Sequence, residues 1–365
     1  AAAGSSNTGV ILGNRLFLKG YRRLQPGLNL ELEIGRFLTE RSPFANTVPV
    51  AGAVEYEAGD GSVATLAMLQ GFVVNQGDAW TWTQDYLRRF LDDVLTRPEL
   101  QEEPAAELHS VYRLMSRTLG QRTGELHRAL AVPAGDPAFE PEPVTESDLD
   151  QWLDAVEREA ATTFDRLAHR LGQFPERPRE LAERVLALRS RLDTRLAALR
   201  PESGFEAVKT RYHGDYHLGQ VLIAEDDFII IDFEGEPARP LAERRRKHSA
   251  LRDVAGMLRS FDYAKHAALL VMTEEQPTAL GQLQPLVEAW RDLIEDAFLS
   301  GYREGLGDCR VHPAEAEQGR RLIALFTLEK ALYELRYEID NRPDWIEVPL
   351  GGLHTILAED DTIAP

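Results

Sequence analysis

The 365-residue chain has a single cysteine, Cys309. One thiol excludes an internal disulfide and a cysteine metal cage, and it suits a reducing compartment such as the cytoplasm. No run approaches the roughly 20 apolar residues that a membrane-spanning helix needs. No basic start leads into an apolar stretch, as it does in a secretory signal. Positive charge is scarce: 41 Lys and Arg against 60 Asp and Glu give 41 − 60 = −19. That balance argues against general affinity for nucleic acid or anionic lipid, but leaves room for one local anion site helped by a metal ion. No G-x-S-x-G elbow or Walker A pattern occurs, and the nine histidines show no H-E-x-x-H spacing. What remains is a globular composition, 43% hydrophobic and 28% charged. The length suffices for one large domain or two to three modest ones.

VILGNRLFLKGY reads as a hairpin around Gly13-Asn14. LELEIGRFLTE has helical spacing, with Leu30, Ile34, Phe37 and Leu38 on one face. A second hairpin follows, turning at Gly59-Asp60-Gly61. Residues 80–130 and 149–200 read as helical, and the Pro- and acid-rich stretch 131–148 as a loop. FEAVKTRYHGDYHLGQVLIAEDDFIIIDFEGEP returns to strand character, with QVLIA and FIIIDF flanking an acidic turn. From Leu241 to Arg342 the chain is helical again, and Trp345 to Leu350 close it. A small strand-rich block before a large helical one is an α+β layout.

The chemistry concentrates in HGDYHLGQVLIAEDDFIIIDFEGE, residues 213–236. Asp215 sits in a polar turn, Gln220 begins a strand, and Asp232 ends the next strand. A hairpin between the two acids can return them to one edge. There an amide and a carboxylate could share a hard cation such as Mg²⁺ while the other carboxylate faces a substrate hydroxyl. Phosphoryl transfer needs this combination. Upstream, Lys19 ends the apolar run RLFLK, and Glu33 lies on the first helix. A Lys19–Glu33 pair would place an ammonium group where phosphates bind.

These pieces resemble the aminoglycoside-phosphotransferase branch of the protein-kinase-like superfamily. Its catalytic loop reads His-x-Asp-x-x-x-x-Asn, with a metal-binding Asp one hairpin later. Here the loop runs from His213 to Gln220; Gln220 replaces the usual Asn, and Glu234 stands where many kinases have Gly. Four longer runs narrow the match: SSNTGVILGNRLFLKGYRRLQPGLNLELEIGRFLTE, HGDYHLGQVL, IDFEGEPARPLAERRRKHSALRDVAGMLRSFDYA and EKALYELRYEIDNRPDW. Through them the chain resembles the bacterial maltokinases from about Ser5 to Gly351. NQGDAWTWTQDYL (75–87) is similar to the kinase module of trehalose synthase–maltokinase fusions.

The resemblance implies a bilobal protein-kinase-like fold. Its small mixed N-lobe would span 1–75. A mostly helical C-lobe would span 76–365, holding the catalytic hairpin 211–236 and the acceptor-binding helices. It implies ATP and Mg²⁺ as cofactors and phosphorylation of maltose at C1, giving maltose 1-phosphate for α-glucan synthesis. Asp215 would be the catalytic base, and Gln220 and Asp232 the Mg²⁺ ligands. Lys19 would contact phosphates and pair with Glu33. Ser6, Asn7 and Thr8 would form a phosphate-covering loop without the usual glycine pattern, using hydroxyl, amide and N–H donors. The strand end from Gln70 through Val73 to Val74 would hold adenine. Family members carry an N-terminal cap and a first strand before that loop. Few residues precede Ser5 here, so the N-lobe is expected to lack both.

The helix expected over 322–345 has a core stripe of Leu325, Leu328, Leu332 and Leu335. Tyr333, Tyr337, Glu338, Arg342 and Trp345 have the composition of a sugar site and match the family's acceptor region. His213 is grouped with the acceptor side and is also read as scaffold for its loop. Asp253, at the start of LRDVAGMLRSF, is a candidate acceptor for backbone N–H groups of the catalytic loop. The basic run ERRRKHS (243–249) is read either as a sugar-phosphate contact or, more simply, as a solvated helix start. Two other functions stay open: a kinase for glucosamine or an aminoglycoside, and a catalytically silent module docking on trehalose synthase.

Overall fold

The computed structural model describes residues 7–202 and 204–358. Ser6 of the expected phosphate loop lies outside the described residues. Strands β1 (Asn7–Leu12) and β2 (Leu16–Tyr21) form the first hairpin. Gly13 and Asn14 at its turn both take left-handed φ, +57° and +51°. That geometry matches the right-handed twist of the flanking strands. With β3 (Val50–Glu57) and β4 (Val63–Gly71) they make an antiparallel sheet in the order β1-β2-β4-β3.

Helix α1 (Leu30–Arg36) starts at Asn29, whose Oδ1 accepts the Leu32 N–H at 3.0 Å. Such a cap satisfies one otherwise orphaned donor, worth about 1 kcal/mol. Leu30, Ile34, Phe37 and Leu38 are all buried, as the spacing requires.

The connection after β4 crosses to the helical region. Arg15 O accepts from Phe72 N–H at 2.9 Å, and Ile223 O accepts from Gln76 N–H at 2.8 Å. Asp78 then caps α2 (Ala79–Thr96). The larger helices that follow are α3 (Ser110–Leu130), α4 (Glu146–Arg170), α5 (Glu176–Ala187) and α6 (Leu192–Leu199). After the hairpin β5 (Val221–Ala224) and β6 (Asp227–Ile230) come α7 (Leu251–Glu275), α8 (Leu280–Leu306), α9 (Ala316–Asn341) and α10 (Glu347–Ala358). A small antiparallel sheet ahead of a mostly helical remainder is the expected α+β architecture.

Helices α3 and α8 touch backbone to backbone: a Cβ on Gly120 would fall 2.0 Å from Phe298 O, and one on Gly301 1.9 Å from Arg117 O. The α9 stripe of Leu325, Leu328, Leu332 and Leu335 is fully buried, as are Leu251, Val254 and Phe261 of α7. Each such side chain contributes roughly 1.5–3 kcal/mol through burial.

Sequence reasoning assigns no element to 347–358. The structure puts α10 there, with Gly351 and Gly352 in its interior. Those glycines make room rather than break the helix: a Cβ on Gly352 would meet the Arg259 guanidinium at 2.6 Å, and one on Gly351 the His266 ring at 2.7 Å.

Candidate active site

The catalytic loop is hung from the start of α7. Asp253, buried there, accepts the backbone N–H groups of His213 at 2.7 Å and Gly214 at 2.9 Å. His127 Nε2 lies 3.1 Å from the same carboxylate. This is the role anticipated for Asp253. Gly214 has φ +84°, a conformation that favours glycine. A Cβ on Gly256 of α7 would sit 2.6 Å from Tyr216 O, so helix and loop pack in direct contact.

His213 is wholly buried. Its Nδ1 accepts from Asp215 N–H at 3.3 Å, which leaves Nε2 as the donor to Ile231 O at 2.9 Å. The ring thus ties the Asp215 loop to the residue before Asp232. It lines neither of the cavities beside Asp215, which corrects its grouping with acceptor contacts. Its place is the scaffold.

The β5–β6 hairpin pairs Val221 with Ile230, and its turn residues Glu225 and Asp226 take left-handed φ. Ile231 N–H donates to Gln220 O at 3.0 Å, so the two strand ends close side by side. Asp232 then turns off the strand at φ +69°, a region that Asp tolerates better than most residues. Gln220 Nε2 lies 3.2 Å from Asp232 Oδ2.

Lys19 reaches this point from β2. Its Nζ lies 2.5 Å from Asp232 Oδ1, 2.7 Å from Glu234 Oε1 and 2.8 Å from Glu31 Oε2. Burial works against the ammonium, but Glu31, Asp232 and Glu234 outweigh it and raise the Lys19 pKa. Burial also pushes Glu31 up to about 7, against the pull of Lys19. Asn7 Nδ2 donates to Glu234 Oε1 at 2.8 Å, and Thr8 Oγ1 accepts from Arg22 Nε at 3.0 Å.

The expected Lys19–Glu33 pair is not formed; Glu31 takes that place. Residues 31 and 33 are about 200° apart around a helix, so only one can face β2. Both are buried, and apolar periodicity could not choose between them. Glu33 instead binds Arg211 and Arg245. For adenine, Gln70 lies in the ladder of β4, opposite Phe17 and Val50. Val73 lies beyond the ladder, its carbonyl accepting from Asn75 Nδ2 at 3.0 Å.

Asp215 is part-buried. Its Oδ1 lies 3.3 Å from Lys330 Nζ and its Oδ2 4.0 Å from His217 Nε2. Burial tends to raise its pKa, but Lys330, His217 and His213 together lower it below the ordinary carboxylate value. The loop and α9 together enclose a cavity of about 610 Å³. Tyr333, Tyr337, Glu338, Arg342 and Trp345 line it, together with Asp215. Sequence reasoning missed Glu236, Glu334, Lys330, His217, Trp80 and Tyr263, which also line it. For Lys330 a signal existed: it shares a helical face with Tyr333 and Tyr337, at i+3 and i+7.

Each carboxylate of this cavity already has a partner. Glu236 accepts from Tyr333 OH at 2.7 Å and lies 3.5 Å from Lys330 Nζ. Glu334 accepts from Arg259 Nη2 at 2.7 Å. Glu338 accepts from Arg342 at 2.5 and 2.9 Å and from Tyr263 OH at 2.9 Å.

The Mg²⁺ donor set is chemically suitable: the Asp232 carboxylate and the Gln220 amide supply hard oxygens, and a half-turn of the amide presents its oxygen.

Residues 1–286 match the phosphotransferase enzyme family, APH. The glucosamine kinase of Streptacidiphilus jiangxiensis is 27% identical over 294 residues, 80% of this chain and 58% of that protein. The glucosamine kinase of Mycolicibacterium smegmatis is 26% identical over 360 residues, 97% of this chain and 78% of that protein. The chain therefore spans less than two thirds of the first relative's length. A solved glucosamine kinase in complex with glucosamine, ADP and inorganic phosphate superposes with a TM-score of 0.66 at 23% identity, covering 98% of this chain and 81% of that one. Crystal form B of glucosamine kinase gives 0.65 at 24% identity, covering 97% and 78%. At these identities the structural likeness is one of fold. The family match extends from the first sheet through the catalytic loop and the β5–β6 hairpin, and this chain belongs to the phosphotransferase enzyme family.

Proposed function

We propose that the chain is an ATP-dependent sugar kinase that phosphorylates maltose at C1. One observation supports it above others: Asp215 opens onto a roomy, aromatic-walled cavity whose other carboxylates already accept hydrogen bonds, Glu236 from Tyr333, Glu334 from Arg259 and Glu338 from Arg342. A neutral polyol gains hydrogen bonds from such paired groups and C–H packing from Trp80, Tyr333, Tyr337 and Trp345. An ammonium group would find no carboxylate there without a partner. A cavity of about 610 Å³ also has room for two sugar rings.

Asp215, held ionised by Lys330, would accept the proton of the acceptor hydroxyl and orient its oxygen. Lys19 would give its ammonium to the phosphates in place of the acids that now hold it. Asp232 and Gln220 would hold Mg²⁺, which when bound supplies charge neutralisation on the phosphate oxygens. Positioning and electrostatics would carry most of the acceleration, because this transition state needs little covalent assistance.

The second reading is glucosamine, favoured by the names of the relatives. We further propose a cytoplasmic enzyme that works with a trehalose synthase domain or subunit. An acceptor panel of maltose, glucose, glucosamine and an aminoglycoside, read by ADP release, decides the substrate. Maltose should give the highest kcat/KM. Preference for glucosamine would overturn the maltose assignment. ATP binding with no turnover on any acceptor would overturn the kinase assignment in favour of the silent docking module.

A further inference from the structure

The residue expected beside Lys19 has a different task. Glu33 is buried at the boundary between α1 and the helical region. Its carboxylate meets two guanidinium groups. Arg245 approaches in a fork, with Nη2 2.7 Å from Oε1 and Nε 3.0 Å from Oε2. Arg211 Nη2 donates to Oε2 at 3.0 Å. Arg211 is itself fixed: its Nε donates to Ala138 O at 3.0 Å and its Nη1 to Arg245 O. Its guanidinium carbon lies 5.5 Å from the Phe139 ring centroid. Phe139 in turn stacks on Phe37, directly after α1, at 3.9 Å and 3°.

Helix α1 is therefore pinned at its base to two points flanking the catalytic loop: Arg211 just before it, and Arg245 between the metal hairpin and α7. Its other buried carboxylate, Glu31, holds Lys19. This also gives the basic run 243–249 a role that neither sequence reading assigned to it.

We propose that Glu33, Arg211 and Arg245 form an anchor between the lobes that fixes α1 in register, so that Glu31 keeps Lys19 aimed at the phosphate site. Glu33 is a positioning residue and acts through Glu31. The inference rests on the reading of Lys19 as the phosphate contact. A bidentate buried carboxylate–guanidinium fork is suited to the task, since it fixes orientation as well as distance.

The test uses the full chain and compares Glu33→Gln, Arg245→Ala, the double variant and Arg246→Ala. Circular dichroism and thermal melting establish that each is folded. Arg245→Ala leaves the Glu33–Arg211 pair intact, so it remains informative where Glu33→Gln fails to fold. Two readouts apply: KM for ATP against KM for the sugar, and hydrogen exchange of residues 30–41. The two single variants should raise the ATP KM about tenfold with little change in the sugar KM, a displacement-type loss. They should speed exchange in α1 specifically. The double variant should be no worse than the poorer single one, because both break one unit. Arg246→Ala, on an exposed side chain, should match the parent. Unchanged ATP KM and unchanged α1 exchange in both single variants would overturn the anchor, as would independent, multiplying effects. Should the parent turn over no sugar, the kinase reading fails, and the anchor is judged on α1 exchange alone.

Discussion

Lys330 Nζ lies 3.3 Å from Asp215 Oδ1, joining α9 to the catalytic loop. The same ammonium lies 3.5 Å from Glu236 Oε2 and 5.0 Å from the Tyr333 ring centroid. Burial alone would push the Asp215 carboxyl up; Lys330 is the largest charge opposing it, ahead of His217 and His213. A base must be ionised to accept a proton, so turnover should fall only when the pH drops through this lowered value. Lys330→Met removes the main opposing charge, and Asp215 then protonates at higher pH. The acid limb of kcat/KM should move to higher pH. Lys330→Arg should hold it near the parent's position. A pH–rate profile of the three proteins decides, and an unmoved limb in the Met variant would refute the coupling.

Asp215→Asn keeps the shape of the loop but removes the base. The His213, Gly214 and Asp253 hydrogen bonds that build the loop do not involve the Asp215 side chain. Turnover should fall about 10²–10⁴-fold, the range for loss of a positioned general base. Nucleotide affinity by calorimetry should stay close to the parent's. Equal turnover in both proteins would remove Asp215 from its role.

Asp232→Ala should act with opposite sign according to the cation present. With Mg²⁺ the variant loses a ligand, and nucleotide binding weakens. Without divalent cation it loses one of three acids holding Lys19, which leaves the ammonium freer for phosphate. Nucleotide binding under chelator should then be equal to or tighter than the parent's. Calorimetric titration with ADP in Mg²⁺ and in EDTA measures both. Weaker binding in EDTA would show that Asp232 serves the lobe rather than the cation.

Much of this was legible because local chemistry and fold agreed. Gly13-Asn14 specified its hairpin, and the spacing of Leu30, Ile34, Phe37 and Leu38 specified the buried face of α1. The run from His213 to Asp232 announced a loop, a strand pair and a returning acid. Where reading failed, two residues of the same type competed for one partner or a glycine served packing. Glu31 and Glu33 are both buried carboxylates on one helix, and only the third dimension sends one to Lys19 and the other to Arg245. No element is expected around Gly351-Gly352, yet a helix runs through them, and the Arg259 guanidinium and the His266 ring fill the space their side chains would take. Lys330 is separated from Asp215 by 115 residues of chain, and no local pattern encodes that meeting.

The last prediction concerns folding rather than catalysis. His109 is buried between α2 and α3, its Nδ1 2.6 Å from Tyr86 OH and its ring edge-on to Phe90 at 4.6 Å. Burial pushes its pKa down to about 4. In the unfolded chain a histidine titrates near 6.5. The unfolded state therefore binds more protons between these values, and the stability that neutral His109 contributes is complete above about pH 6.5. It is lost as the pH falls toward 4, by an amount on the order of 2–3 kcal/mol. His109→Gln should be less stable than the parent at pH 7.5, where a packed ring and a hydrogen bond are lost. The gap should narrow steadily at pH 6.5, 5.5 and 4.5 in urea unfolding. Buried His248 and His266, also lowered, and the carboxylates add the same slope to both proteins and cancel in the difference. A gap that stays constant across this range would mean that His109 takes up its proton without leaving its site.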